Sequence, residues 1–166
     1  MGVTWKTKVN KLPQIEKSLK GLEGKHVEIG AFNGEHAWLA GIHEYGLNIE
    51  VTPKMRAYLH GQGLHLKDTT QYIKIPERAF LRNGHDENAK RIMKQTERAL
   101  SAVINGSMSV DEMLDLCGQQ FATAIKDYMS KTEPNHPFTI EQKGSSTPLT
   151  GKTGGLVESI DWRIEG

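Results

Sequence analysis

Residues 87–104 read ENAKRIMKQTERALSAVI and residues 109–128 read SVDEMLDLCGQQFATAIKDY, with NGSM between them. In the first stretch Ala89, Ile92, Met93, Thr96, Ala99, Leu100, Val103 and Ile104 recur with the helical period of about 3.6 residues, and charged residues fill the other side. This spacing predicts a long amphipathic helix. The second stretch opens on Ser109-x-x-Glu112, a capping box in which a hydroxyl and a carboxylate each satisfy a backbone N–H at the helix start. Met113, Leu116, Cys117, Gln120, Phe121, Ala124, Ile125 and Tyr128 then repeat at helical spacing. Two helices joined by so short a break are expected to pack antiparallel.

Working outward, residues 26–32 alternate, with Val27, Ile29 and Ala31 on one face and His26, Glu28 and Gly30 on the other, before the turn pair Asn33-Gly34. Residues 71–75 alternate again and stop at Pro76, as a strand near a sheet edge would. At the far end Ile160, Trp162 and Ile164 alternate with Asp161, Arg163 and Glu165, and this last strand is expected to return to the early ones. Strands kept apart from a long helix pair predict an α+β fold, a small antiparallel sheet packed against two long helices in a single domain over residues 1–166.

The remaining segments fit around that frame. Leu12, Ile15, Leu19 and Leu22, with Pro13 in the first turn and Gly24 beyond the end, predict a short opening helix. Ala37, Trp38, Ala40, Gly41 and Ile42 form a small-residue helical patch ending at Tyr45-Gly46, where the glycine suits a left-handed C-terminus. Thr52-Pro53 reads as an N-cap followed by proline at the first helical position, so residues 54–60 form a turn or two of helix, or else a hairpin arm. Residues 134–155 are polar and rich in Gly, Ser and Thr, with Phe138, Ile140 and Leu149 as apolar anchors, and are expected to form an extended arm.

The chain's 166 residues suit one core, but 37% hydrophobic residues is lean, so neighbouring subunits are expected to complete some of the burial. Lys plus Arg number 21 against 20 for Asp plus Glu, without the excess that a dedicated nucleic-acid binder uses to displace counterions. The single Cys117 excludes an internal disulfide framework and reads as a small buried thiol suited to a reducing cytoplasm. Residues 1–10 carry charges without the apolar run of a signal peptide, and no stretch approaches membrane-spanning length, so a chain that is neither exported by a signal nor membrane-spanning is expected.

Catalytic patterns fail on their spacing. Thr150-Gly151-Lys152-Thr153 resembles the end of a phosphate-binding loop, but Ser146 stands where its first glycine belongs and Pro148 removes an amide from the cradle. His43-Glu44 lacks the second histidine of a zinc protease, because Leu47 occupies that place. The other histidines are scattered, His60 and His65 being the closest pair, and no metal site or cofactor is expected. Cys117 has no basic neighbourhood in the sequence to activate it. Among the aromatic residues, Trp38 and Trp162 read as core and Trp5 as a candidate interface anchor.

Three blocks remain: Ala40-Gly41-Ile42-His43-Glu44-Tyr45-Gly46; Ile75-Pro76-Glu77-Arg78-Ala79-Phe80-Leu81-Arg82; and a tail segment with Pro134-Asn135, Thr139-Ile140, Lys143-Gly144-Ser145, Pro148-Leu149, Thr153-Gly154, Leu156 and Ser159-Ile160. In order and spacing they resemble the tail-component family of lambdoid and related long-tailed bacteriophages and prophages, the tail-completion, neck or virion-morphogenesis proteins. The resemblance covers residues 27–164; Glu77, Ala79 and Gly151-Lys152 depart from the family's pattern, and residues 47–70 are expanded into a loop insertion.

The resemblance implies a structural virion protein at the head-to-tail junction, not an enzyme. It would form a homo-oligomeric, hexameric ring that joins the connector or stopper to the tail tube, and would reside in the virion after assembly in the host cytoplasm. A tail terminator capping the tube is the alternative within this class. Trp5, Arg78, Phe80, Arg82, Phe138, Ile140, Lys143 and Leu149 are the expected interaction residues. Arg78 and Arg82 would either line a DNA channel without reading sequence or take salt bridges. From other classes, a nucleotide-dependent assembly factor would use Lys152 and Thr153, and a small nucleic-acid adaptor would hold DNA in a salt-sensitive manner.

Overall fold

Ser109 starts the second long helix as its sequence predicts. Its hydroxyl accepts from the Glu112 backbone N–H at 3.1 Å, and the Glu112 carboxylate accepts from the Ser109 N–H at 2.7 Å. Those hydrogen bonds hold the Glu112 carboxyl below the usual carboxylate range. The computed structural model describes residues 10–150 and 154–166. Its elements run α1 (Leu12–Lys20), β1 (His26–Ala31), α2 (Gly34–Tyr45), β2 (Leu47–Glu50), α3 (Pro53–Gly61), β3 (Tyr72–Ile75), α4 (Phe80–Asn105), α5 (Val110–Ser130), α6 (Pro137–Lys143), α7 (Gly155–Glu158) and β4 (Ile160–Glu165).

α4 ends at Gly106, in the left-handed conformation at φ 79°, whose N–H donates to Val103 O while that of Ser107 donates to Ala102 O. The chain reverses there, and α5 runs back antiparallel along α4. Val103 and Ala99 meet Met113 near the turn, and Ile92 meets Phe121 and Ala124 midway. At the far end a Cβ on Gly84 would lie 2.9 Å from Ile125 Cα, so the crossing requires glycine there. α4 starts seven residues before the run 87–104 because the polar segment 82–87 also coils. The group that caps this early start lies outside the helix.

α5 packs on the sheet formed by β1 and β4, which pair antiparallel from His26↔Glu165 to Ala31↔Ile160. The last strand does return to the first. Ile29 and Ala31 face the main core, where Phe80, Met129, Leu149 and Ile160 are almost fully buried. β2 and β3 form a separate antiparallel pair, from Leu47↔Ile75 to Glu50↔Tyr72. The α+β class is as expected, with two small two-stranded sheets among the described residues instead of one.

Several local expectations change. Within 47–70 the short helix that Thr52-Pro53 predicts does form, as α3 with Thr52 Oγ1 accepting from Met55 N, while β2 is an addition to the loop reading; Arg56 gathers the connection to β3 by donating to the carbonyls of Leu66, Lys67 and Thr70. The described part of 134–155 folds back on the body. Asn135 N donates to Ser146 O at 2.7 Å, α6 lies between them, and Leu149 plugs the core at 2% exposure. A Gly/Ser/Thr-rich composition does not prevent a segment's apolar anchors from packing. Asn33 is no turn residue but the N-cap of α2, accepting from His36 N. Trp38 and Met93, expected inside, are 68% and 52% exposed.

Candidate interaction site

The first two sequence blocks meet in space. α2 ends at Tyr45, and Gly46, at φ 75° and ψ 169°, turns the chain into β2. Its φ is positive as expected, but its ψ lies outside the left-handed helical region. Only glycine fits, since a Cβ would meet Glu77 N at 2.8 Å and Ile75 O at 2.9 Å. The segment after β3 therefore lies directly against the end of α2. Its backbone donates into that helix's free carbonyls, Arg78 N to His43 O at 2.9 Å and Ala79 N to Glu44 O at 3.2 Å.

Ala79 sits at φ 43°, the single non-glycine residue with positive φ among those described, and immediately precedes α4. It gives the helix no side-chain cap. Glu44 supplies one from across the chain: its carboxylate, 2% exposed, accepts from Leu81 N at 2.8 Å and Arg82 N at 3.2 Å. A negative group here also opposes the positive end of the helix dipole. Arg82 closes the clamp. Its Nε donates to Glu44 Oε1 at 2.8 Å, and its Nη2 donates to Glu44 O and, at 2.6 Å, to Glu77 Oε1. Its guanidinium also lies 5.1 Å from the Tyr45 ring centre. The hydrogen bond to Glu44, then that to Glu77, raises the Arg82 pKa further.

His43 Nδ1 lies 3.0 Å from Arg78 Nη1. Arginine can only donate, so Nδ1 accepts and the ring proton resides on Nε2. Burial first, then the charges of Arg78 and Lys143, push the His43 pKa down to about 4. Burial also lowers the Arg78 pKa, opposed by Glu133. Because the unfolded chain binds a proton at His43 from about pH 6.5 downward and the folded chain resists it to about pH 4, stability is expected to fall as pH drops through that window. Urea midpoints at pH 7, 6 and 5 should decline, and His43→Gln should flatten the decline; an unchanged slope in the variant would count against His43 as its source.

Arg78, Phe138 and Lys143 converge on one open groove of about 610 Å³, bounded by the end of α2, β3 and α6. The other expected interaction residues go elsewhere. Phe80 and Leu149 are 0% and 2% exposed and belong to the core, a correction: each fills space between elements and has no surface to offer. Ile140 is half-buried and Arg82 is held in the Glu44 clamp. Trp5, and Gly151, Lys152 and Thr153 of the phosphate-loop comparison, lie outside the described residues.

A second surface escaped the sequence reading. Trp38 and Tyr45, 68% and 71% exposed, share a face of α2 by helical spacing with Gly41 between them, and Phe32, 41% exposed after β1, lines a groove with Gly41 and Tyr45. A shallow groove of about 510 Å³ runs past Phe32, Ala37, Gly41 and Tyr45. The guanidinium of Arg163 covers the Phe32 ring at 4.5 Å. α2 is apolar on two sides, so periodicity alone could not tell which side faces in; the small Ala40, 4% exposed, is the one that fits the core.

Chemical alternatives gather little. His60 and His65 approach with Nδ1 atoms 2.8 Å apart, but no cluster of three or more metal-capable side chains forms among the described residues. Cys117 is half-buried against Ile92 and Phe121. No helix of the described residues is long and apolar enough to cross a membrane. No family model, no curated protein and no solved structure matches the chain.

Proposed function

We propose that the chain is a structural subunit of a long-tailed bacteriophage virion, a tail-completion or neck protein that forms an oligomeric ring at the head-to-tail junction. The observation that carries the reading is the pair of exposed aromatic residues Trp38 and Tyr45 on α2, with Phe32 lining the same groove as Tyr45. Exposed aromatic side chains are enriched at subunit contacts, where their large areas leave water. The frame behind them is built from the blocks that carry the family resemblance: 40–46 and 75–82 hold each other through Glu44 and Arg82. Those blocks thus have a shape-giving role in this chain, as a building block requires. Arg82 answers Glu44 and Glu77, which favours a salt-bridged role for it over a channel-lining one.

The test is direct. Trp38→Glu is expected to convert an assembled species into monomer in sedimentation velocity while the monomer keeps the circular dichroism spectrum of the folded chain, since a change at an exposed position leaves the core intact. Electron microscopy of particles carrying an amber mutation in this chain should reveal full heads and tails left unjoined. Normal joining in the mutant particles would end the proposal.

A further inference from the structure

We propose that the groove bounded by the end of α2, β3 and α6 binds a peptide segment of a partner protein that presents a carboxylate beside an aromatic or aliphatic side chain. The site is distinct from the aromatic pair of α2, and the inference does not depend on the ring. Of the 13 residues lining the groove none is acidic, whereas Lys74, Arg78 and Lys143 all stand in its wall. Much of the remaining wall is hydrocarbon, including Ile73, Pro76 and the half-buried Phe138.

Arg78 defines the anion position. Its Nη1 donates to His43 Nδ1 and to Pro76 O, both neutral groups, and among the described residues the guanidinium forms no ion pair. Glu133 attracts it only from a distance. The Nε and Nη2 donors have no protein acceptor among the described residues, and this pair is the parallel fork that fits a carboxylate. His43, neutral and with Nδ1 engaged, stands in the same wall and carries its proton on Nε2. A half-desolvated cation beside an apolar wall calls for an anion attached to an apolar body.

A nucleic-acid strand fits less well. Its phosphates recur at regular intervals and need a continuous cationic track with exposed aromatic faces for the bases. Here the cations surround a single pocket, Phe138 is half-buried, and Glu77 and Glu133 lie next to Pro76, Arg78 and Pro134 in a neighbouring depression.

The full chain, titrated at low salt with N-acetyl-Phe-Glu-Leu-amide and with its Gln counterpart, tests the assignment. The acidic peptide is expected to bind about tenfold more tightly, as a charge-assisted hydrogen bond to a half-buried guanidinium should give. Amide shifts should concentrate at Ile73, Arg78 and Phe138. Arg78→Gln should bring the acidic peptide down to the affinity of the neutral one. Lys143→Gln, at the exposed end of α6, should weaken it severalfold with an unchanged melting temperature, which separates lost binding from lost folding. Equal affinities, shifts centred elsewhere, or no binding of either peptide at millimolar concentration would overturn the proposal. So would a short oligothymidylate that occupies the groove more tightly than the acidic peptide, which would reassign it to nucleic acid.

Discussion

Glu44→Ala is expected to lower the unfolding free energy by about 3 kcal/mol, as the loss of a buried acceptor with several donors trained on it does. The Leu81 and Arg82 N–H groups would lose their acceptors, 2.8 and 3.2 Å away, and no side chain of the preceding residue can replace them. Their position beside Phe80, which is 0% exposed, restricts access for water to take over. The negative charge at the helix start would vanish as well. Glu44→Gln should cost less, since one amide oxygen still accepts, but its NH2 would face donors. Urea denaturation gives the free energy, and hydrogen exchange at Leu81 and Arg82 should quicken well before that at Ile92. A loss below about 1 kcal/mol would reduce the clamp to an ordinary surface ion pair.

Gly118→Ala is the second large effect. Alanine in a helix interior normally stabilises it by about 1 kcal/mol relative to glycine. Here the added methyl would overlap Cβ, Cγ and Cδ1 of Trp162, which occupies the space beside Gly118. Trp162 would have to leave, breaking the 2.8 Å bond from its Nε1 to Asp115 Oδ1 and lifting β4 from the helix. Overpacking of this kind outweighs the propensity gain, and a net loss of about 2 kcal/mol is expected. The double variant Gly118→Ala with Trp162→Leu should recover much of it, because the two changes act on one contact. Additive losses in thermal melts would exclude the clash as the cause.

Part of this architecture was legible because it is local. The α4–α5 pair follows from helical spacing, from Gly106 and from the Ser109–Glu112 capping box, each contained within a few residues. The β1 and β4 alternations were equally readable, and one partner strand sufficed to satisfy both. The first seven residues of α4 were not legible, because their start is capped by Glu44, 37 residues from Leu81. Leu149 shows the opposite failure: a polar setting suggested an exposed arm, while one large aliphatic side chain drew the segment into the core.

The candidate sites divide in the same way. Arg78, Phe138 and Lys143 were singled out in the sequence, yet that they line one groove depends on α6 folding back toward β3. Trp38 was misassigned because an aromatic residue on a short helix fits a core and an interface equally well until the packing is known.

By itself the sequence determined the α+β class, the helix pair, the return of the last strand and the Thr52 and Ser109 caps, since backbone hydrogen bonding and apolar periodicity act over a turn or a strand's length. Only the tertiary structure decided which face of α2 is buried, where α4 begins and which cations share a wall. Those outcomes depend on groups remote in sequence competing for the same small volume, a competition that spacing along the chain does not record.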